Sequence, residues 1–272
     1  AGAYAATQFA AALNDPAGYI QSNAQNMTLT YPGGNFKSTW FALYNGRKDY
    51  GESKTMTDLM GALGDGRQKA FGGATQDQTA GNALESSSVG VPFGLVRAKV
   101  EAFTSANSNW ARILRGDFRK ENGSVVALSA GQIALARAEA ANYGWTSESL
   151  PTTYSLGISL SYEQWGLKVA TDYLGQASVA LDAPGAAGNL KKIATQRYIA
   201  HYPDGMQAWN IWRKTGFPEL TPAPDATNSS KQIPRRYTYG TTEFTSNKAN
   251  AEAAVAGITG GDTQDARVWW NN

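Results

Sequence analysis

A mainly α-helical fold, with long irregular loops between helical hairpins, is the class this sequence predicts. Three observations carry that prediction. Residues 189–220 place Leu190, Ile193, Ala194, Arg197 and Tyr198 at i, i+3, i+4, i+7 and i+8, one face of a 3.6-residue period, and a second amphipathic run follows after Pro203. Residues 129–165 carry two more such stripes in succession. No stretch shows the sustained apolar–polar alternation of a strand-rich protein.

In chain order, Ala1–Leu13 is Ala-rich and reads as a helix ending at Asn14-Asp15-Pro16. Residues 21–37 are polar, with Pro32-Gly33-Gly34, and read as loop. Trp40, Phe41, Leu43 and Tyr44 form an aromatic cluster before Asn45-Gly46. Met56, Leu59, Met60 and Leu63 mark a short helix capped by Ser53 and stopped by Gly64. Residues 72–90 are nearly all small or polar, a long loop of the kind that is often functional or mobile. Ser129 caps the next helix with Gln132 at its third position, and Gly144 ends it. Tyr154, Ile158, Tyr162 and Trp165 form the stripe of its packing partner, a pair of tetratricopeptide character. Asp204 caps the second helix of the 189–220 hairpin, with Gln207 placed to reach back and complete a capping box; Gly216 and Pro218 stop it. Asn247 caps a last Ala-rich helix running to about Ala256.

Composition narrows the function classes. The 272 residues are 42% hydrophobic and 11% aromatic, enough for a sizeable core, while 29 glycines exceed the usual share of roughly 7% and indicate a loop-rich surface. Charged residues make up 17%, and 24 basic against 22 acidic side chains leave a net charge of +2, which gives no case for a nucleic-acid partner. Cysteine is absent, so neither disulfides nor thiolate metal sites form. No apolar run approaches the roughly 18 residues of a spanning helix, and no secretory signal pattern is present.

The sequence offers no nucleophile–base pattern, no metal-ligand spacing and no phosphate loop; His201 is its one histidine. We therefore expect no catalytic residues, no cofactor and no metal. Glycosidase chemistry is the one enzyme class left open, because it needs only two carboxylates across a sugar. Glu139 and Glu243 are the candidates, but each reads better as an ion-pair partner for Arg213, Arg235 or Arg236. Sugar binding, by contrast, needs aromatic platforms beside amide groups, and the chain has 8 Trp and 13 Tyr.

The motifs also carry a resemblance. Gln196-Arg197, Ala208-Trp209, Arg213-Lys214-Thr215-Gly216-Phe217-Pro218, Ile233-Pro234-Arg235-Arg236, then Tyr239, Glu243, Asn247, Asn250 and Val268-Trp269-Trp270 follow one another as in the C-terminal signature of SusD/RagB-like proteins. Upstream, Ala138-Glu139-Ala140-Ala141 with Gly144-Trp145, and Tyr154, Gly157-Ile158 and Ser161, resemble that family's AEA…GW and YxxGIxxS segments. Asp65-Gly66-Arg67 is similar to its Asp-Pro-Arg turn. The chain departs from the pattern at Lys214, where a second Arg is usual, and at Gly240, where Pro follows the Tyr.

The resemblance implies that residues 1–272 are the C-terminal part of a single SusD-like domain, with N-terminal helical repeats and a lipidation region outside this chain. It implies a lipoprotein on the outer-membrane surface of a Gram-negative bacterium, which captures oligo- or polysaccharide for a SusC-like TonB-dependent transporter. A peptide-binding relative is the alternative within the family, and a glycosidase the alternative outside it. Arg213, Gly216, Pro218, Arg235, Arg236 and Glu243 are expected to be structural, Arg213 pairing with a partly buried acid such as Glu243. Trp209, Trp212, Trp145, Trp165, Trp269 and Trp270 are assigned to packed motifs, leaving Trp40 with Tyr44, and Trp110 with Asn107 and Asn109, as the expected glycan platforms.

Overall fold

The computed structural model describes residues 2–76 and 81–270. Within them the chain is mainly helical, with eleven α-helices: α1 (Gly2–Leu13), α2 (Thr39–Ala42), α3 (Lys54–Leu63), α4 (Gln68–Phe71), α5 (Arg97–Ala106), α6 (Ala130–Asn142), α7 (Leu150–Glu163), α8 (Gly188–Ala200), α9 (Gly205–Thr215), α10 (Thr241–Ser246) and α11 (Lys248–Ala256). Two small antiparallel ladders accompany them. Strand β1 (Met27–Leu29) pairs with β4 (Val125–Leu128), and β2 (Gly72–Gly73) with β3 (Arg112–Ile113). The chain divides into two compact units: residues up to 93 with 98–218, and residues 94–97 with 219 onward.

The first unit is built on the predicted hairpins. Ser129 and Gln132 close a capping box on α6, and α7 begins with Ser149 accepting from the Thr152 amide. These two helices lie unusually close. A Cβ on Gly131 would meet the Ser161 amide nitrogen at 2.9 Å, and one on Gly157 the Leu135 amide nitrogen at the same distance. Glycine is therefore required at both points by close approach rather than by backbone conformation. The stripe Tyr154, Ile158, Tyr162 and Trp165 faces the core together with Leu135, Ile193 and Ile199.

Residues 21–37, expected as loop, also supply β1. The short strand escaped the periodicity reading because its side chains are all exposed. The neighbouring asparagines fasten the segment to the helix pair: Asn23 Nδ2 donates to the Leu160 carbonyl at 3.0 Å, and Asn26 Oδ1 accepts from the Ala130 amide at 2.8 Å. The expected 72–90 loop contributes β2 and a 3-10 turn at Gly81–Leu84; residues 77–80 lie outside the described residues.

Helix α9 starts as expected at Asp204, whose Oδ1 accepts from the Met206 and Gln207 amides at 3.1 Å each. The expected capping box is not formed, because Gln207 Oε1 accepts instead from Asn210 Nδ2 at 3.3 Å. Gly216 ends the helix in the left-handed region at φ 78°. Asn247 also differs from expectation: its Oδ1 is taken by Asn250 Nδ2 at 2.7 Å, and it separates two helices, α10 and α11.

The centre of the first unit is a buried polar network. Arg67, fully buried, donates to Asp65 Oδ1 and Oδ2 at 3.0 and 2.6 Å, to Ser161 Oγ at 2.8 Å and to Gln196 Oε1 at 2.6 Å. The Tyr173 hydroxyl donates to Asp65 Oδ2 at 2.5 Å and accepts from Gln196 Nε2 at 2.9 Å. The Gly66 amide donates to the Tyr162 hydroxyl at 3.0 Å. Burial alone would raise the Asp65 carboxyl, but the Arg67 guanidinium and the hydrogen bonds hold it below its usual range. The motif residues Asp65, Arg67, Ser161 and Gln196 thus converge on one satisfied ion pair.

In the second unit, Arg236 pairs with Asp262 at 2.5 Å and the Arg235 amide donates to the Gln264 carbonyl at 2.7 Å. Asp265 gathers Asn228 Nδ2 and the Ser229 and Ser230 hydroxyls at 2.9, 3.2 and 2.5 Å.

Candidate functional site

A cavity of about 830 Å³ opens in the first unit where the ends of several elements meet. Antiparallel packing of α6 and α7 brings the start of one, Gln132, and the residues after the other, Gln164 and Trp165, to the same end of the pair. Residues 201–206, the turn after α8 and the first residues of α9, form a second wall, residues 124–127 leading into and along β4 a third, and Trp40 on α2 with Leu114 and Phe118 the rest.

The lining is mixed in character. Trp165 is nearly buried, held edge-on by Phe71 and Phe118 at centroid distances of 5.5 and 5.1 Å, and Tyr202 stacks on Phe71 at 4.2 Å. Gln132 spends its Nε2 on the Ala200 carbonyl at 3.2 Å and its Oε1 on the Ser129 amide at 3.0 Å, so it is fixed. His201 has its imidazole pushed down to about 4 by burial and by the nearby Arg197 charge, so it is neutral at neutral pH. Among the described residues, Asp204 is the one carboxylate in the lining, and no lysine or arginine lines it.

The residues expected as glycan platforms are divided by the structure. Trp40 is half-buried, packs against the core and lines the cavity. Tyr44 does not belong to a surface site: it is buried at 4% exposure, its hydroxyl donates to the Tyr50 carbonyl at 2.8 Å and accepts from the Ile113 amide at 2.7 Å, and Arg119 lies over its ring at 4.4 Å. Burial pushes that phenol up to about 12. Trp110 is likewise corrected to the core. It is 5% exposed, and the Arg112 guanidinium sits 3.8 Å from its ring centroid, on the surface a sugar would need. Asn107 donates to the Phe103 carbonyl at 2.9 Å and its backbone carbonyl accepts from the Trp110 amide, so it serves the turn; Asn109 is exposed.

Glu139 is buried at 2% and pairs with Arg197 and Lys214, whose charges hold its carboxyl down against the opposing effect of burial. An ion-pair role for Glu139 was expected, but with other cations. Lys214, the position that departs from the usual Arg, is one of its two partners. Arg213 stacks over Trp209 at 3.9 Å and donates to Asn210 Oδ1, while Glu243 is exposed and accepts from Asn247 Nδ2 at 3.2 Å. Pro218 is buried, as is Arg236 beside Asp262. Trp269, expected in a packed motif, is 82% exposed.

Sequence reading missed the cavity because its walls come from six separate segments. The one local signal was the cluster His201-Tyr202-Pro203-Asp204 at a helix junction, where a turn presents several functional groups at once.

Comparison with solved structures gives close agreement in fold. A SusD homologue from Bacteroides uniformis is 26% identical, with a TM-score of 0.80 over 100% of this chain and 60% of its own. A second SusD homologue, from Bacteroides thetaiotaomicron, is 24% identical, with a TM-score of 0.79 over 99% of this chain and 60% of its own. A chitin-binding SusD homologue from Flavobacterium johnsoniae is 22% identical, with a TM-score of 0.82 over 100% and 59%. The chain thus spans about three-fifths of the length of these relatives. No curated protein matches the chain. Among the described residues, no helix is long and apolar enough to cross a membrane. The model of the SusD-like family described as starch-binding and associating with the outer membrane matches residues 1–240, and the chain belongs to that family.

Proposed function

We propose that the chain captures a glycan and passes it to a TonB-dependent transporter at the outer membrane, without chemical turnover, and that the cavity beside Trp40 holds part of the sugar chain. The observation that carries this reading is the cavity itself. Its volume falls within the roughly 300–1,000 Å³ of small-ligand sites, and it combines aromatic surface with amide, hydroxyl and carboxylate groups. Family membership supports the ligand class. Reading the chain as the C-terminal part of one SusD-like domain belongs to the same proposal.

Paired-carboxylate hydrolysis finds no support in this cavity. That chemistry needs two acids across the sugar, whereas among the described residues Asp204 is the one acid in the lining and Glu139 is held by Arg197 and Lys214. The test is calorimetric titration of the full chain with oligosaccharides. Trp40→Ala should weaken binding several-fold to tenfold, since one aromatic contact contributes on the order of 1 kcal/mol. Unchanged affinity in that variant, or steady release of reducing ends from a polysaccharide, would overturn the reading.

A further inference from the structure

We infer that the cavity selects uncharged sugar chains and rejects acidic ones, such as those bearing uronates, and that Asp204 sets this preference. The inference rests on the glycan reading above and specifies its ligand.

Helix α9, eleven residues long, points its N-terminus at the cavity through Gly205 and Met206. Such an end ordinarily draws an anion, because its first amides have no partners within the helix and the dipole is positive there. Here the seat is taken. The Asp204 carboxylate lies in the lining and already accepts from the Met206 and Gln207 amides. It supplies the negative charge the helix end attracts, and so repels a second one.

Nothing else in the lining compensates an incoming carboxylate. Among the described residues, no lysine or arginine lines the cavity. Cations that adjoin lining residues lie outside the lining: Arg197 beside His201 pairs with Glu139, Arg115 over the Phe118 ring pairs with Asp117 at 2.6 Å, and Arg119, fully buried, donates to the Thr75 carbonyl at 2.7 Å. His201 is neutral at neutral pH. A uronate entering this space would shed hydration without gaining a charge-assisted hydrogen bond, which is costly for an ion and far less so for a hydroxyl. Neutral sugars meet suitable groups: Trp40 as an apolar face, and Gln164 as a polar one.

The experiment is titration of the full chain at low ionic strength with three hexasaccharides: a maltohexaose, an N-acetylchitohexaose and an oligogalacturonate. The oligogalacturonate should bind at least tenfold more weakly than the better of the two neutral probes. Asp204→Asn keeps a good helix cap while removing the charge, and should narrow that gap several-fold by tightening the oligogalacturonate more than the neutral probes. An oligogalacturonate that binds the parent as tightly as the neutral probes overturns the inference while leaving glycan capture standing. An unchanged gap in Asp204→Asn overturns the role of Asp204. Failure of all three probes to bind removes the glycan reading, and the selectivity with it.

Discussion

Two carboxylates in the first unit are almost equally hidden from water, Asp65 at 4% exposure and Glu52 at 1%, yet their surroundings could hardly differ more. Asp65 receives a guanidinium in two-pronged contact, a phenol and a backbone amide. Glu52 receives one amide, from Gln68 Nε2 at 2.8 Å, and among the described residues no donor reaches its Oε1. The first is held ionised; burial pushes the second up to about 8, which keeps it protonated at neutral pH. Burial by itself thus decides nothing about charge. The partners decide, and the chain supplies them only where its motifs converge.

That contrast can be broken most severely at Asp65. Asp65→Ala would strand the Arg67 charge in the core and should cost roughly 3–5 kcal/mol in denaturant unfolding. Replacing both, as Asp65→Leu with Arg67→Met, should cost less than the single change. A single variant within about 1 kcal/mol of the parent would show that the network holds little together.

The second test uses pH, where the two acids have opposite signs. Glu52 titrates near 4.5 in the unfolded chain and near 8 when folded, so between these values the folded protein keeps a proton that the unfolded chain has released. Its contribution to stability is therefore lost as pH rises, on the order of 1 kcal/mol per pH unit, and levels off above 8. Asp65 works the other way, its contribution present above its unfolded value near 3.8 and lost as pH falls. His201, depressed from 6.5 to about 4, also adds stability as pH rises through that range, so pH 6.5–8 isolates Glu52 from it. Unfolding curves across pH 6.5–8 should slope downward in the parent and flatten in Glu52→Gln. An equal slope in both would place the titration elsewhere.

The smallest effect is expected at Gly216, outside either acid's reach. Gly216→Val should lower stability by roughly 1 kcal/mol or a little more, because a β-branched residue is strained at φ 78° although no atom lies within 4 Å of the added Cβ. Melting curves indistinguishable from the parent would show that the αL cap is dispensable.

Most of the helical frame was legible in the sequence, because Ser53, Ser129, Asp204, Gly64 and Gly216 act within one turn of where they stand. The signature residues were legible too, though not what joins them: Asp65, Ser161 and Gln196 lie far apart in sequence and meet through Arg67, with Tyr173 also bridging Asp65 and Gln196. The site was least legible. Choosing Trp110 from its polar neighbours failed because Arg112, two residues on, turns back over the indole, and a cation–π contact leaves no periodicity to read. Choosing Trp40 rested on the same kind of evidence and led to the cavity wall. Polar neighbours in sequence are therefore a poor guide to exposure in loops, whose side chains follow no fixed direction.

Gly131 and Gly157 let two backbones touch where most helix pairs are held apart by side chains. A contact of backbone on backbone has no rotamers to exchange, so α6 and α7 should move as a single bar rather than slide past each other. Gln132, Gln164 and Trp165 ride on one end of that bar. The wall they form should be preset before any ligand arrives, so that ordering it takes little from the affinity, and encounter rather than rearrangement should govern how fast a sugar chain is caught.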